Sequence, residues 1–271
     1  MQKKTDLLNL VLDTSIKAGK AILDVYHTDF EVDYKKDASP LTQADRKAHE
    51  IIAKALEKTD IPILSEEGRN IPYEERKNWN RLWIVDPLDG TKEFVKRNDE
   101  FTVNIALIEN GTPVLGVVYA PVLDEIYIGE KETGAFKINK ASICKDLMNE
   151  LTPDNRLPLA INLNKDYYGI VASRSHLTPD TTAFINNVKK EHDFVKTVSK
   201  GSSLKICMVA EGTADIYPRF APTSEWDTAA GHAVILASNG RIVQANKPED
   251  EVIYNKEDVL NPWFIVQRLK G

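Results

Sequence analysis

The stretch Leu82-Trp83-Ile84-Val85-Asp86-Pro87-Leu88-Asp89-Gly90-Thr91-Lys92-Glu93-Phe94 decides how the rest of the chain is read. Its first residues are apolar and β-prone, as in a buried strand. Asp86 follows at once, and Pro87, which has no N–H, predicts the end of the ladder on that side. Asp89-Gly90-Thr91 has the composition of a turn opening into a helix, with Asp89 as its N-cap. Two carboxylates three residues apart, with a proline of fixed φ between them, can aim at one point, and the Leu88 carbonyl lies between them. Oxygen-only ligands suit a hard cation such as Mg²⁺, and the N–H groups of Gly90 and Thr91 at a helix start suit a phosphate. Asp-Pro or Asp-Gly alone is ordinary turn chemistry; the combined string D-P-x-D-G-T-x-x-F is far more specific than its parts.

Upstream of this stretch the chain reads as two helices. Residues 5–26 carry Leu8, Val11, Leu12, Ser15, Ala18, Gly19, Ile22, Leu23 and Tyr26 at helical spacing, with small residues at 15, 18 and 19 that permit close approach of a second helix. Thr42 and Asp45 fit a capping box, followed by Ala44, Ala48, Ile51, Ile52, Ala55 and Leu56 on one face. Asp45 by itself is therefore explained as a cap. Ile61-Pro62-Ile63-Leu64 is a short strand that ends in Ser65-Glu66-Glu67-Gly68, where a neighbouring strand could bring the glutamates beside Asp86.

Downstream, Phe101 to Lys137 reads as strands throughout, with Asn110-Gly111 as a hairpin turn. Residues 139–166 are polar and aperiodic, the composition of a linker or peripheral excursion. The second half alternates strand and helix: Tyr168–Ser173, Pro179–Lys190, Phe194–Val195, Gly201–Glu211, Ala214–Tyr217, Glu225–Ser238 closed by Asn239-Gly240, and Trp263–Val266. The expected organisation is an α+β part over 1–140, an excursion over 141–166 and an α/β part over 167–271.

With 271 residues, 42% hydrophobic and 28% charged, the composition is that of an ordinary soluble globular protein with a substantial core. The net charge of −6 argues against a nucleic-acid surface. It leaves room for a small anionic substrate, because a divalent ion and a few cations reverse the field of one cleft. No apolar run is long enough to span a membrane and the N-terminus does not read as a signal peptide. Cys144 and Cys207 are far apart and read as free thiols. The expected location is cytoplasmic, with a peripheral place at the inner membrane face left open.

Further candidates for chemistry lie in the second half. Ser224-Glu225-Trp226-Asp227 fits another capping box, and a carboxylate at a helix start is also placed to reach a cation. Ser173-Arg174-Ser175-His176, Gly201-Ser202-Ser203-Leu204-Lys205 and Tyr217-Pro218-Arg219 each fall at a strand end or strand-to-helix junction, where pockets of α/β folds form. Ser202–Lys205 also reads S-x-x-K, but the partner motifs of β-lactamases are absent. Phosphate-loop, dinucleotide, zinc-protease and serine-hydrolase motifs are absent too, and the scattered histidines do not make a zinc site.

Four ordered pieces, Asp45 on the second helix, Glu66-Glu67 at a strand end, D-P-x-D-G-T from Asp86, and W-D-x-A-A from Trp226, resemble the lithium-sensitive, Mg²⁺-dependent phosphatase superfamily that includes inositol monophosphatase. Leu64–Glu67, Val85–Phe94, Glu100–Leu107, Gly116–Pro121, Ser173–His176, Gly201–Lys205 and Tyr217–Phe220 are most similar to its bacterial 3′(2′),5′-bisphosphate nucleotidases of the CysQ type. The resemblance covers nearly the whole chain except 139–166. It implies a layered α-β-α-β-α sandwich and two or three Mg²⁺ ions held by Glu66, Asp86, the Leu88 carbonyl, Asp89 and Asp227. Asp45 and Thr91 would position and deprotonate the attacking water. The implied substrate is 3′-phosphoadenosine 5′-phosphate, cut to AMP and phosphate. Gly90 and Thr91 would take the scissile phosphate, with Ser175, His176, Gly201, Lys205 and Arg219 for the remainder of the nucleotide. The expected partners are that small-molecule nucleotide and, at most, a second copy of the chain in a homodimer; no nucleic acid is expected. Inositol-1-phosphate or fructose-1,6-bisphosphate hydrolysis at the same metal site is the nearest alternative, and a non-catalytic nucleotide sensor a remote one.

Overall fold

A computed structural model of the chain describes residues 4–34, 40–159, 162, 165–172 and 178–269. The chain opens with α1 (Lys4–Tyr26), the short pair β1 (Val32–Tyr34) and β2 (Pro40–Thr42), and α2 (Gln43–Leu56). There follow β3 (Ile63–Ser65), α3 (Tyr73–Arg76), β4 (Arg81–Asp89), α4 (Thr91–Val95), β5 (Thr102–Glu109), β6 (Thr112–Ala120), β7 (Glu125–Glu130) and β8 (Gly134–Asn139). The second half holds β9 (Tyr168–Val171), α5 (Pro179–Glu191), β10 (Val195–Val198), α6 (Leu204–Ala210), β11 (Ile216–Arg219) and α7 (Glu225–Ala237). It ends in β12 (Gly240–Gln244), β13 (Lys247–Glu251) and β14 (Phe264–Arg268).

Two six-stranded sheets organise these elements. The first runs β3-β4-β5-β6-β7-β8, with β3 parallel to β4 and the rest antiparallel. The second runs β10-β9-β11-β14-β12-β13, with β10, β9 and β11 parallel and the remaining pairs antiparallel. One face of the first sheet is covered by α1 and α2, whose Leu7, Leu8, Val11, Leu12, Ile22, Ala48 and Ile52 join Trp83, Val85, Ile105 and Val117 in one core cluster. A second cluster joins Ile84, Ala106 and Val118 on the opposite face to Ile206, Val209, Ala230 and Val234 of α6 and α7 and to Ile242, Phe264 and Val266 of the second sheet. A third packs Ile185 and Val188 of α5 on Ile170 and Ile216, on the far side of that sheet. The layers therefore alternate α-β-α-β-α.

Close packing fixes the middle layer. A Cβ at Gly116 would stand 2.4 Å from the Ala230 carbonyl oxygen, and one at Gly129 2.4 Å from Val234 Cα, so α7 lies against bare backbone of β6 and β7. At Gly19 the close neighbour is the Tyr119 ring, 2.3 Å from an added Cβ. The small stripe of α1 thus admits an aromatic side chain at Gly19, while α2 packs against α1 as the sequence suggested.

Two local expectations change, and two further segments show structure that the sequence did not signal. Strand β4 does not stop at Pro87: it continues to Asp89 across a bulge, which leaves the proline without a ladder partner. The N-cap of α4 is Gly90, in the left-handed region at φ 92, and no side chain caps it; Asp89 is engaged elsewhere. The hairpin β12–β13 had no periodic signal, since Lys247–Glu251 is polar and exposed throughout, a charged edge that discourages further pairing. Residues 141–155 form three 3₁₀ turns, and Leu147 and Leu157 are buried with the core.

Gly129→Ala is expected to destabilise the fold by about 1–3 kcal/mol, because backbone atoms of α7 and not a mobile side chain must move. Urea unfolding of the variant against wild type measures it, and an unchanged midpoint would contradict the contact.

Candidate active site

The bulge in β4 gives the site its geometry. Asp86 pairs with Asn104 and Asp89 with Thr102. Three steps on one strand match two on the other, so one extra residue is accommodated. Asn104 and Thr102 lie on the same face of β5, hence Asp86 and Asp89 share a face as well; without the bulge they would point to opposite sides. The Asp86 carboxylate also accepts the Leu88 N–H at 3.1 Å. Because β3 runs parallel to β4 with Ser65 beside Val85, Glu66 and Asp86 stand next to one another where the β3–β4 pairing ends. The Glu66 N–H donates to the Val85 carbonyl at 3.1 Å.

Two helices deliver the other acids by one device. In α2 a capping box holds Asp45: its Oδ2 accepts the Thr42 N–H at 2.8 Å and the Thr42 hydroxyl at 2.6 Å. Its Oδ1 faces the Thr91 hydroxyl at 3.3 Å, and that hydroxyl lies 3.3 Å from the Leu88 carbonyl. In α7 a second capping box places Asp227 Oδ2 2.7 Å from the Ser224 N–H. A cap needs only one carboxylate oxygen. Capping and site duties are thus compatible in the same residue, and the helix-cap readings of Asp45 and Asp227 are correct without being the whole account.

One carboxylate oxygen from each of Glu66, Asp86 and Asp227 lies within 4.8 Å of the other two. Asp86 is 1% exposed. Burial, and then the negative charges of Glu66, Asp89, Asp227 and Asp45, hold its carboxyl well above the usual carboxylate range. Burial, with Asp89 and Glu66 adding to it, pushes Asp227 up to about 8, against the Ser224 bond and Arg219. Burial raises Asp45 too, opposed by its bonds to Thr42. A cluster of buried and half-buried acids that disfavours its own ionisation fits a divalent cation, whose charge reverses that balance. The all-oxygen donor set suits Mg²⁺ better than zinc.

Beside the acids is a pocket of about 210 Å³, lined among others by Gly90, Lys92, Glu93, Lys205, Tyr217, Arg219 and Asp227. Lys205 is pushed below the ordinary lysine range chiefly by burial; Asp89 opposes that and Arg219 adds to it. Arg219 donates to the Pro222 carbonyl at 3.2 Å, and its buried Nε has no hydrogen-bond partner among the described residues. Gly201 turns its N–H to Glu100 Oε2 at 2.9 Å, and an added Cβ would stand 2.6 Å from the Glu100 carbonyl oxygen. Its glycine has a steric reason in this contact. Ser175 and His176 lie outside the described residues.

The inositol monophosphatase family model matches residues 3–267. The chain belongs to that family. A 3′(2′),5′-bisphosphate nucleotidase CysQ of Salmonella typhimurium is 46% identical over 265 residues, covering 96% of this chain and 99% of the relative. The CysQ of Escherichia coli K12 is 44% identical over the same length, with the same coverage. The crystal structure of CysQ from Bacteroides thetaiotaomicron, described as a bacterial member of the family, superposes with a TM-score of 0.88 at 52% identity, covering 97% of each chain.

Within this family fold, sequence reading gave no role to Asn104 and Thr102 and did not connect Ser202 and Ser203 with Asp89. Its Oδ2 accepts from Ser202 Oγ at 2.6 Å and from Ser203 N at 2.6 Å, with Ser203 Oγ 2.9 Å and Asn104 Nδ2 3.4 Å away. Thr102 and Ser202 share a hydroxyl contact of 2.5 Å. The available signal was weak: an Asn and a Thr inside an otherwise apolar strand, and two serines ahead of Lys205.

The raised acids carry a sign. A carboxyl with a higher pKa folded than unfolded stabilises the fold at low pH, and that contribution is lost as pH rises from near 3.8 through about 8 for Asp227. In EDTA, the urea midpoint is therefore expected to fall between about pH 5 and about pH 9. Saturating Mg²⁺ should reduce that fall, because binding displaces the protons. An equal fall with and without Mg²⁺ would contradict a cation at these acids.

Proposed function

We propose that the chain is a Mg²⁺-dependent 3′(2′),5′-bisphosphate nucleotidase that removes the 3′-phosphate of 3′-phosphoadenosine 5′-phosphate to give AMP and phosphate. The observation that carries this reading is the meeting of Glu66, Asp86 and Asp227 within 4.8 Å, beside the Asp45–Thr91 pair, in a chain 44–46% identical to CysQ nucleotidases. Glu66, Asp86, the Leu88 carbonyl, Asp89 and Asp227 would hold two or three ions. Such ions, when bound, make water acidic and stabilise the entering and leaving oxygens of an in-line displacement.

The remaining steps fall to the chain's own groups. Threonine alone is a poor base. With Thr91 Oγ1 directed at Asp45 Oδ1, a proton taken from the attacking water is passed to the carboxylate as the water oxygen bonds to phosphorus. The bond from phosphorus to the ribose 3′ oxygen breaks, and that oxygen takes a proton from solvent water to leave as the 3′ hydroxyl of AMP. Burial that raises Asp45 makes it a better acceptor near neutrality. The backbone N–H groups of Gly90 and Thr91 suit the scissile phosphate. Lys205 and Arg219, in the adjoining pocket, supply charge-assisted bonds to the phosphate that does not react. Ser175, His176 and Gly201 complete the candidates for nucleotide contact. A monophosphate of inositol needs no second anion site, so Lys205 and Arg219 together in the pocket beside the acids favour a bisphosphate.

Parallel assays with 3′-phosphoadenosine 5′-phosphate, inositol-1-phosphate and fructose-1,6-bisphosphate decide the substrate class. The expected order of kcat/KM places the nucleotide first; a preference for either sugar phosphate would overturn the assignment. Asp86→Asn keeps the shape and removes a ligand charge, and turnover is expected to fall below about one hundredth of wild type; near-normal activity would refute its role. Lys205→Ala is expected to raise KM for the bisphosphate much more than for a small monophosphate, whereas equal losses would place Lys205 outside the substrate pocket.

A further inference from the structure

Ser203 begins α6 at the N-cap position, where a serine ordinarily turns its hydroxyl to a free N–H of the first helical turn. Here it makes no cap bond. Its hydroxyl, 3% exposed with its residue, instead stands 2.9 Å from Asp89 Oδ2, 2.6 Å from the Asp227 backbone carbonyl and 2.9 Å from Asn104 Nδ2. A hydroxyl has one proton and two lone pairs. Asn104 donates to it, and the single proton goes to one of two acceptors, both belonging to candidate metal ligands. Ser202, next in the turn, has a non-glycine backbone in the left-handed region at φ 55 while its hydroxyl bonds the same Asp89 oxygen. Strained backbone of this kind persists where its surroundings over-determine it.

We propose that Ser203 is a positioning residue for metal binding, joining Asp89 of the first sheet to the start of α7 so that the two ligands are set relative to one another before any cation arrives. This inference rests on the metal-dependent reading above. With Oδ2 of Asp89 saturated by the 202–203 turn, Oδ1 is the oxygen left for a cation, and rotation of the carboxylate is blocked. The turn that does this also leads directly to Lys205, so the element that sets a metal ligand also sets the cation of the substrate pocket.

The test is Mg²⁺ titration by calorimetry on Ser203→Ala without substrate, with the metal-free thermal midpoint as a check on folding. Loss of an outer partner of a metal ligand costs about 10–100-fold in affinity, and the Mg²⁺ dissociation constant is expected to rise by that factor while the metal-free midpoint stays near wild type. A constant within twofold of wild type overturns the proposal, as does a lowered metal-free midpoint with unchanged affinity, which is the mark of a packing role alone. Should Ser203→Ala not fold, Ser202→Gly removes a 2.6 Å bond to the same oxygen at a backbone that suits glycine, and the same constant is read. Absence of Mg²⁺ binding by the wild-type protein would instead overturn the metal reading itself.

Discussion

Carboxylates repel, and a protein interior intensifies the repulsion by withholding water. Three of them within 4.8 Å, with Asp86 almost fully buried, form an arrangement that folding alone does not favour. The rest of the molecule is arranged to impose it. A bulge turns Asp89 onto the face of Asp86, a parallel strand brings Glu66 alongside, and helix caps hold Asp45 and Asp227 by one oxygen each. A fold that concentrates charge in this way stabilises a cation-bound state at some cost to the unliganded one.

The acids come from opposite ends of the chain, so the packing between its halves is part of the chemistry. Bare backbone at Gly116 and Gly129 lets α7 settle on the first sheet. The buried Glu225 carboxylate then accepts the Asn255 N–H at 2.7 Å and the Lys256 N–H at 2.9 Å, which ties the head of α7 to the chain ahead of β14. Arg76 reaches across to Asn255 at 3.0 Å. The 202–203 turn adds the polar seam described above, directly at the ligands. Displacement of α7 relative to the first sheet would move Asp227 and loosen Asp89 together.

Much of this was legible in one dimension. The string from Asp86 to Phe94, the two capping boxes and the apolar stripes of α1 and α2 each have a local signature, because caps, turns and helical faces are made by residues near one another in sequence. The resemblance to the inositol monophosphatase family drew on the same strings, and the family match covers residues 3–267. What escaped was non-local. The bulge past Pro87 depends on the register of β5, the need for Gly201 depends on Glu100, and the β12–β13 edge has no apolar period to detect. Asn104 and Thr102 looked like strand residues because they are strand residues; only their neighbours across the sheet interface make them polar anchors.

The sequence by itself determined the inventory: which acids stand at strand ends and helix starts, and that their spacing suits a hard cation and a phosphate. Tertiary structure decided which of those acids face one another, which oxygen of Asp45 caps and which meets Thr91, and that two serines are diverted to Asp89. The reason is physical. Residue type and local spacing fix what a group can bond to, whereas direction and shared burial arise only when segments far apart in the chain are packed against each other.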